Sequence, residues 1–406
     1  MPTRLSDRQF AAAARRELIE DILPFWRART LDKQRGGFIG QMSNDLHVKE
    51  DASKGLILNA RILWAFSAVY GYTHDEQDRV LARRAYEYVT HRFLDPQHGG
   101  CFWELDCRGI VIDDKKKIYG EAFCIYALAE HYRTCRSLKA LKLAMDIFYR
   151  VEEHAHDKKY GGYFEVMSRD WQPCEDMRLS DKDMDEKKSM NNHLHVLEAY
   201  ANLLRVWPEP VLADRLRELI DLFRRRILNA EKTHFQHFFD ETWAAKSDSY
   251  TFGHDIEGSW LLCEAADVLG DRRLAEDVRA AAVKIARAVL EEGLDTDGSL
   301  FYEARRGRIT VRNKEWWPQA EAMVGFYNAW QLTGDNAFRE ASVRCWQFIE
   351  RRIVDHAHGE WYWCARSDGT HDPAQPKVSA WKGPYHNARC CLEIIHRTQM
   401  KSSHPG

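Results

Sequence analysis

The chain of 406 residues lacks the features that would place it in a membrane, outside the cell or on a nucleic acid. Its longest apolar runs are too short to cross a bilayer, and its N-terminal region, Met1 to Leu18, is mixed and charged without a hydrophobic core segment. The ten cysteines show no CxxC spacing, which favours reduced thiols over disulfides. The net charge of −3 is spread over interspersed signs. We therefore expect a cytoplasmic protein with no nucleic-acid or membrane partner.

Several catalytic motifs are missing as well. There is no phosphate-cradling glycine loop and no GxSxG nucleophile turn, and His254 and Glu257 lack the HExxH spacing of a zinc site. We expect neither a metal nor a cofactor. No segment rich in proline, glycine or serine divides the chain, so residues 1–406 are predicted to form one catalytic domain.

The chain instead repeats one two-part pattern six times. A glycine-aromatic segment is followed, some 18 to 30 residues later, by an apolar helical run, and the period is about 62 residues with one interval of about 75. Such self-similarity indicates an array of one supersecondary unit. The glycine-aromatic segments are 36–38, 99–102, 161–164, 235–239, 298–302 and 359–362, and the helical runs start at Lys54, Lys117, Lys188, Tyr250, Lys314 and Gly383.

Two helical patterns lie between successive glycine-aromatic segments. The first is apolar most of the way round and belongs inside; the second is amphipathic and charged and belongs outside. An N-terminal helix, 7–29, supplies the outer partner for the end of the chain. Six inner and six outer helices closing on themselves predict an all-α (α/α)6 barrel, with short β-hairpins at one end. The predicted outer helices are 78–93, 138–153, 212–228, 274–291 and 338–353.

If the glycine-aromatic turns join each outer helix to the next inner helix, all inner-helix N-termini surround one mouth of the barrel. Helix N-termini carry unpaired N–H groups and partial positive charge, so this mouth favours negative charge at its centre. The long interval adds an acidic loop between Asp170 and Lys188. That loop could fold over the mouth as a lid or could simply be solvated.

The inner-helix starts place chemically distinctive residues at matching positions. Spacings of three or four residues keep pairs of them on one helix face, as for Asn191 with His195 and for His254 with Glu257. His193 faces another direction and is expected to be structural. We expect one cavity to hold three histidines with arginine, carboxylates and tryptophans, including His195, His254, His386, Arg61, Glu257, Glu321, Trp317 and Trp381.

These residue types fit proton transfer on a sugar. Histidine takes or gives a proton near neutral pH, and two histidines in one cavity can serve the two faces of a carbon. Loss of a proton α to an aldehyde leaves an enediolate, which Arg61 and His195 can stabilise as donors. Glu257 and Glu321 can orient histidines and sugar hydroxyls. Trp317 and Trp381 can stack on a sugar ring.

Five segments in register resemble the cellobiose 2-epimerases of the N-acylglucosamine 2-epimerase superfamily: 54–64, 190–200, 253–257, 316–322 and 381–387. The resemblance runs from about Phe25 to Ile395. It implies an (α/α)6 barrel and cofactor-free epimerisation at C2 of the reducing-end glucose of cellobiose or lactose. It further implies that His254 and His386 act as the acid/base pair after ring opening. The residues implied to bind or polarise the sugar are Arg61, Tyr119, Asn191, His195, Glu257, Trp260, Trp317, Glu321 and Trp381.

Alternatives stay open at this point. A relative acting on monosaccharides could epimerise mannose and glucose or isomerise mannose to fructose through the same enediolate. A glycoside hydrolase could use Glu257 and Glu321, although His254 and His386 would then have no clear task. A non-catalytic sugar-binding barrel is the remaining alternative. The sequence leaves open the role of Glu121 and which histidine serves which face of C2; a monomer or a homodimer is expected.

Overall fold

The computed structural model describes residues 5–366 and 368–399, and over these ranges the chain forms thirteen α-helices. None of the helices in these ranges has the length and apolarity needed to span a bilayer. The helices nearest the centre are α3 (Leu56–Thr73), α5 (Ile118–Cys135), α7 (Met190–Leu204), α9 (Phe252–Leu269), α11 (Trp316–Thr333) and α13 (Tyr385–Gln399). Those outside are α1 (Asp7–Arg16), α2 (Leu23–Arg29), α4 (Glu76–Tyr88), α6 (Leu138–His154), α8 (Pro210–Leu222), α10 (Arg272–Ala288) and α12 (Asn336–Phe348).

The inner helices form a closed ring. Each packs against the next inner helix, and α13 packs against α3, while α4, α6, α8, α10 and α12 each pack on the inner helix that precedes them. The N-terminal helix α1 packs on α13, as the sequence predicted. Two indole hydrogen bonds seal this junction: Trp26 Nε1 donates to Glu360 at 2.6 Å, and Trp361 Nε1 donates to Glu17 at 2.7 Å. The predicted (α/α)6 barrel is confirmed.

The two helix classes differ in burial as their patterns predicted. In α3 every residue from Leu56 to Ser67 is buried, whereas α4 buries one stripe that includes Leu81, Ala82 and Ala85. A feature that the pattern did not predict is a short π-helical segment within or after most of the outer helices. In the described ranges these segments are Glu17–Ile22, Val89–Phe93, Phe223–Ile227, Val289–Gly293 and Ile349–Ile353.

Short strands ring the end of the barrel where the inner helices begin. Strands just before α3, α5, α7, α9 and α11 pair antiparallel with a strand of the next repeat, so all these helices start at the same end. Lys54, Lys188 and Lys314, predicted as helix starts, lie in these strands, and the helices begin two residues later. The strands are β1 (Lys54–Gly55), β2 (Glu104–Leu105), β3 (Val111–Asp113), β4 (Lys116–Lys117), β5 (Val166–Met167), β6 (Lys188–Ser189), β7 (Phe238–Phe239), β8 (Ser249–Thr251), β9 (Glu303–Arg305), β10 (Arg308–Val311), β11 (Lys314–Glu315) and β12 (Cys364–Ala365).

The glycine-aromatic segments form tight turns closed by single antiparallel bridges, such as Leu31 with Phe38. Glycine is required at Gly37, where φ is +64° and an added Cβ would lie 2.6 Å from the Tyr88 ring. At these turns a single bridge therefore takes the place of the predicted β-hairpin ladder. Full hairpins occur between β2 and β3 and between β9 and β10.

Lysine–aspartate pairs fix five of the six turns to the segment ahead of the following inner helix, which is a strand in four of the five cases. Because the lysines are nearly inaccessible and the aspartates also accept turn N–H groups, the pairs hold the turn and the strand together. In the second repeat the pairing residue is Lys116, one residue before the predicted Lys117. The Nζ–Oδ distances are 2.7 Å for Lys54–Asp32, 3.1 Å for Lys116–Asp95, 2.7 Å for Lys188–Asp157, 2.9 Å for Lys314–Asp295 and 2.5 Å for Lys377–Asp355.

Candidate active site

The first turns of the inner helices bring the predicted polar residues to the centre of one barrel end. The centre of this site is a single guanidinium shared by three carboxylates. Arg389 on α13 donates through Nη2 to Glu257 at 2.5 Å and to Glu321 at 2.7 Å, and through Nη1 to Glu198. All four side chains are nearly inaccessible to solvent. Arg389 therefore joins helices α7, α9, α11 and α13 at the floor of the site.

Glu321 also orients His386. Its Oε1 lies 2.6 Å from His386 Nδ1, and its Oε2 accepts the indole N–H of Trp260 at 3.1 Å. A carboxylate facing Nδ1 favours the tautomer with a proton on Nδ1, which leaves Nε2 as the basic nitrogen. His386 is thus arranged to exchange a proton through Nε2.

His195 has a similar carboxylate partner. Its Nδ1 lies 2.9 Å from Glu198 Oε2, one turn further along α7. The Glu198 carboxylate also accepts the Tyr385 hydroxyl. His195 packs against the Tyr119 ring with 4.9 Å between centroids.

His254 differs from the other two histidines because its Nδ1 faces a hydroxyl. The Thr251 Oγ1 atom lies 2.6 Å from His254 Nδ1. The Trp317 ring lies beside both proposed proton-transfer histidines, with centroid distances of 4.7 Å to His254 and 5.7 Å to His386. Two imidazoles from the fourth and sixth repeats therefore border one indole.

A third group of residues lies on the side of the first two repeats. Arg61 donates through Nη2 to the Tyr119 hydroxyl at 3.0 Å and through Nη1 to the Trp381 carbonyl at 2.7 Å. Its Nε and the Asn191 Oδ1 are both buried, and neither has a hydrogen-bond partner in the described protein. Trp381 packs against Trp103, with 5.9 Å between ring centroids. These free donor and acceptor atoms suit a ligand with several hydroxyl groups.

Burial dominates the electrostatics of the site. Burial, then the electrostatic cost of a second protonated ring near other histidines, holds the pKa of His254 well below its ordinary value. Burial, then the guanidinium of Arg61, lowers the pKa of His386 in the same direction. Both imidazoles are therefore neutral near pH 7 and can accept a proton.

The carboxyl groups of Glu257 and Glu198 have opposite pKa shifts because their environments differ. Burial, then the neighbouring Glu321, raises the pKa of Glu257 to about 7. Burial also opposes ionisation of Glu198, but Arg389 and His195 overcome it and hold the pKa of Glu198 at about 2. Glu198 is thus the permanently ionised member of the group, and Glu257 can gain or lose a proton near neutral pH.

The donor atoms of Glu257, Glu321 and His386 lie within 4.8 Å of one another, a spacing that a metal ion could use. The carboxylate oxygens nearest this point already accept the Arg389 guanidinium, and Glu321 also accepts His386. The positive charge that these carboxylates need is therefore supplied by Arg389 within the chain.

The acidic loop between Asp170 and Lys188 packs at the mouth and is also solvated. Met177 and Leu179 are buried, and the Leu179 carbonyl accepts Lys117 Nζ at 3.0 Å, while Asp181 is exposed. Burial is the main cause that raises the pKa of Tyr119, to about 12, and the charge of Asp183 contributes to this shift. The loop thus brings an acidic residue close to the site.

Glu121 and His193 have a different task from the site residues. Glu121 Oε1 accepts the backbone N–H of Cys101 at 2.8 Å, and His193 Nε2 accepts that of Tyr163 at 2.9 Å. Asp255 and Gln319 accept the equivalent turn N–H groups in the fourth and fifth repeats. These four residues tie the inner helices to the glycine-aromatic turns, so Glu121 has a structural role and His193 is structural as predicted.

The structure brings all eleven predicted site residues to this end of the barrel and adds four that the predicted set left out. Glu198 follows His195 by three residues, and this spacing could have revealed it. Thr251 precedes His254 by three residues in the same way. Arg389 shares a helix face with His386, three residues earlier, and Tyr385 directly precedes His386; this spacing indicates a place at the mouth, but their carboxylate partners lie in distant repeats.

Comparison with known proteins places this geometry among sugar epimerases. The sequence pattern of the N-acylglucosamine 2-epimerase (GlcNAc 2-epimerase) family matches residues 37–390. A cellobiose 2-epimerase of Bacteroides fragilis is 43% identical over 382 residues, which cover 94% of this chain and 97% of that protein. One from Dictyoglomus turgidum is 38% identical, covering 93% of this chain and 95% of that protein. The solved structure of cellobiose 2-epimerase from Bacillus thermoamylovorans B4167 superposes with a TM-score of 0.91 at 39% identity, covering 96% of this chain and all of that one.

Proposed function

The chain belongs to the N-acylglucosamine 2-epimerase family and is an isomerase of the epimerase type, and on that premise we propose that it is a disaccharide 2-epimerase. Its proposed reaction interconverts the reducing-end glucose and mannose of β-1,4-linked disaccharides such as cellobiose and lactose. The reaction opens the sugar ring, removes the C2 proton and returns a proton to the opposite face. The observation that carries this proposal is the pair of imidazoles, His254 and His386, which both pack beside Trp317.

The proton transfer uses the free nitrogens of these two rings. One neutral imidazole takes the C2 proton through Nε2; the C–H electron pair forms the C1–C2 double bond, and the C1 oxygen gains negative charge. The other imidazole, protonated on Nε2 by solvent once the enediolate carries negative charge, delivers that proton to the opposite face; the enediolate electrons form the new C2–H bond, C2 is inverted, and the first imidazole returns its proton to solvent. Because burial keeps both rings neutral near pH 7, either can act as the base.

The enediolate formed in this step needs donors near its oxygens. Arg61 has a buried Nε without a partner in the described protein, and His195 presents a ring whose Nδ1 is held by Glu198. Both lie in the second turn of an inner helix, and both helices begin at the end of the barrel that holds the site. We assign them to polarise the C1 and C2 oxygens.

The sugar itself is held by stacking and hydroxyl contacts. Trp317, which packs beside both proposed acid/base residues, is suited to hold the reacting ring by an apolar face, and Asn191 Oδ1 is a free acceptor for a hydroxyl. The Trp103–Trp381 pair adds a second aromatic surface. This second surface favours a disaccharide over a monosaccharide.

Hydrolysis is disfavoured by the state of the carboxylates. A hydrolase needs one carboxylic acid and one free carboxylate flanking the glycosidic bond. Here Glu257 and Glu321 share the Arg389 guanidinium, and Glu321 is also engaged by His386. Neither has the separate position that hydrolysis requires.

The decisive experiment is proton NMR of cellobiose, lactose, mannose and N-acetylglucosamine with the protein in D₂O. We expect deuterium at C2 and the mannose-type epimer to form with cellobiose and lactose. Faster turnover of free mannose, or formation of fructose, would assign a monosaccharide substrate instead. Release of glucose from cellobiose would indicate hydrolysis.

Substitutions test the two histidines directly. His254→Ala and His386→Ala should each lower turnover by at least the ~10²–10⁴-fold that a positioned acid or base provides. His91→Ala, an exposed histidine on the outer surface, is the matched control and should turn over at the normal rate. A near-normal rate in either site variant would remove that histidine from the mechanism.

A further inference from the structure

The third and fourth repeats use the residue before their inner helix in different ways. In the third repeat Ser189 caps α7, since its Oγ accepts the N–H of Asn192 at 3.1 Å. Thr251 occupies the same position before α9, but it makes no side-chain cap. Its Oγ1 instead lies 2.6 Å from Nδ1 of His254, the third residue of α9. The hydroxyl that caps one helix is thus used by a histidine in the other.

The backbone of Thr251 is held by a second histidine. His237 Nε2 accepts the Thr251 N–H at 3.2 Å, where the third repeat uses Glu165 to accept the Ser189 N–H at 2.6 Å. An accepting Nε2 means that His237 carries its proton on Nδ1 and is neutral, and burial lowers the pKa of His237 to about 4. His237 therefore fixes Thr251 without placing a charge beside His254.

The partner of Nδ1 distinguishes the two proposed acid/base residues. His386 faces the carboxylate of Glu321 at 2.6 Å, whereas His254 faces the hydroxyl of Thr251. A carboxylate stabilises an imidazolium strongly through a charge-assisted hydrogen bond, and a neutral hydroxyl does so less. A hydroxyl can also donate or accept by rotating, so it serves either protonation state of the ring.

We propose that Thr251 is a positioning residue for His254, and that His254, with a hydroxyl rather than a carboxylate at Nδ1, is the more acidic partner of the two histidines. This inference rests on the proposed C2 proton transfer. When His254 Nε2 takes the C2 proton, Nδ1–H donates to Thr251 Oγ1, and the C–H electron pair moves into the enediolate. On return, the Nε2 proton passes to C2, the enediolate electrons form the new C–H bond, and His254 is neutral again.

The test compares Thr251→Val with Thr251→Ser, because valine matches the shape of threonine without the hydroxyl. We expect Thr251→Val to lower kcat by at least ~10-fold, a part of the ~10²–10⁴-fold value of a positioned acid or base, with little change in KM. Thr251→Ser should keep most of the turnover because it retains the hydroxyl.

The readout specific to this proposal is the primary isotope effect on each epimer deuterated at C2. In Thr251→Val the step at His254 becomes more rate-limiting. The isotope effect should therefore rise for the epimer whose C2 proton goes to His254 and fall for the other epimer. Thr251→Ser should show the wild-type pattern. Ser189→Ala, which removes the equivalent hydroxyl from α7, should reduce stability and leave both isotope effects unchanged.

The outcomes separate this proposal from the proposed function. If the wild-type protein shows no C2 exchange with any sugar, the proposed function is wrong. If it shows exchange but Thr251→Val changes both isotope effects in the same direction, or changes neither, Thr251 does not position His254. Loss of turnover in Thr251→Ser equal to that in Thr251→Val would also overturn the proposal.

Discussion

Replacing Arg389 with methionine would remove the cation that Glu198, Glu257 and Glu321 share. Breaking a buried ion pair from one side typically costs about 3–5 kcal/mol, because the remaining charge is left without a partner. The pKa of Glu198, about 2 against an ordinary 4.5, corresponds to about 3 kcal/mol of net stabilisation of its ionised form, which remains after burial has opposed the contributions of Arg389 and His195. We expect Arg389→Met to lower the free energy of unfolding by about 3–5 kcal/mol.

The loss should depend on pH. Without Arg389 the buried carboxyls must keep a proton in the folded state, while they ionise in the unfolded chain above about pH 4.5. Keeping that proton becomes more costly as pH rises, so the loss should be larger at pH 8 than at pH 5.

Urea unfolding followed by circular dichroism at both pH values measures this difference. Arg83→Met is the matched control: its partner Glu87 lies one turn away, and the two side chains are 73% and 50% exposed. That change should cost about 0.3–0.5 kcal/mol. A loss below about 1 kcal/mol for Arg389→Met, or an equal loss at the two pH values, would show that Arg389 does not compensate these carboxylates.

Three further predictions concern the substrate, the histidine tautomer and acid stability. Trp381→Ala should raise KM for cellobiose more than for mannose; equal losses on the two sugars would refute a role in binding the second sugar ring. Glu321→Gln should lower kcat about 10²–10⁴-fold with a normal fold, because an amide can present N–H to His386 Nδ1 and favour the wrong tautomer; a pH–rate profile unchanged in shape and height would contradict this. His193, whose pKa burial lowers to about 3, must stay neutral in the folded state, so stability falls as pH drops below 6.5 towards that value. His193→Gln copies the contact that Gln319 makes in the fifth repeat. It should reduce the slope of unfolding free energy against pH in this range by about 1.4 kcal/mol per pH unit. The same slope in the variant and the wild type, measured by urea unfolding, would disprove this prediction.

The fold was predictable because each repeat encodes its own helices. The charged stripe predicted for 274–291 matches α10 and its π-helical extension, which together span 272–293. The pattern did not predict which of two adjacent residues is buried. Lys116 and Lys117 are both lysines, and the register of β4 with β5 determines which of them reaches Asp95. This strand register depends on contacts between repeats, so it cannot be predicted from the sequence of either repeat alone.

The site was predictable where residues recur at matched helix positions. His254, Glu257, His386 and Glu321 meet because equivalent first turns converge on one axis. The spacing of Arg389 from His386 places both on one helix face, but it does not reveal that Arg389 pairs with three carboxylates that lie 68 to 191 residues away in sequence. That residues 1–406 form one catalytic domain stays a prediction.

The closure of the ring by α1 has a consequence for how the protein is made. The apolar side of α1, with Phe10 and Ala14, is buried against elements that include α13, and Trp26 bonds a residue 334 positions later. During synthesis this segment therefore leaves the ribosome long before the residues of the sixth repeat that it packs against. Until the sixth repeat emerges, the apolar side of α1 stays exposed to solvent. Exposed apolar surface of this kind binds chaperones and promotes aggregation.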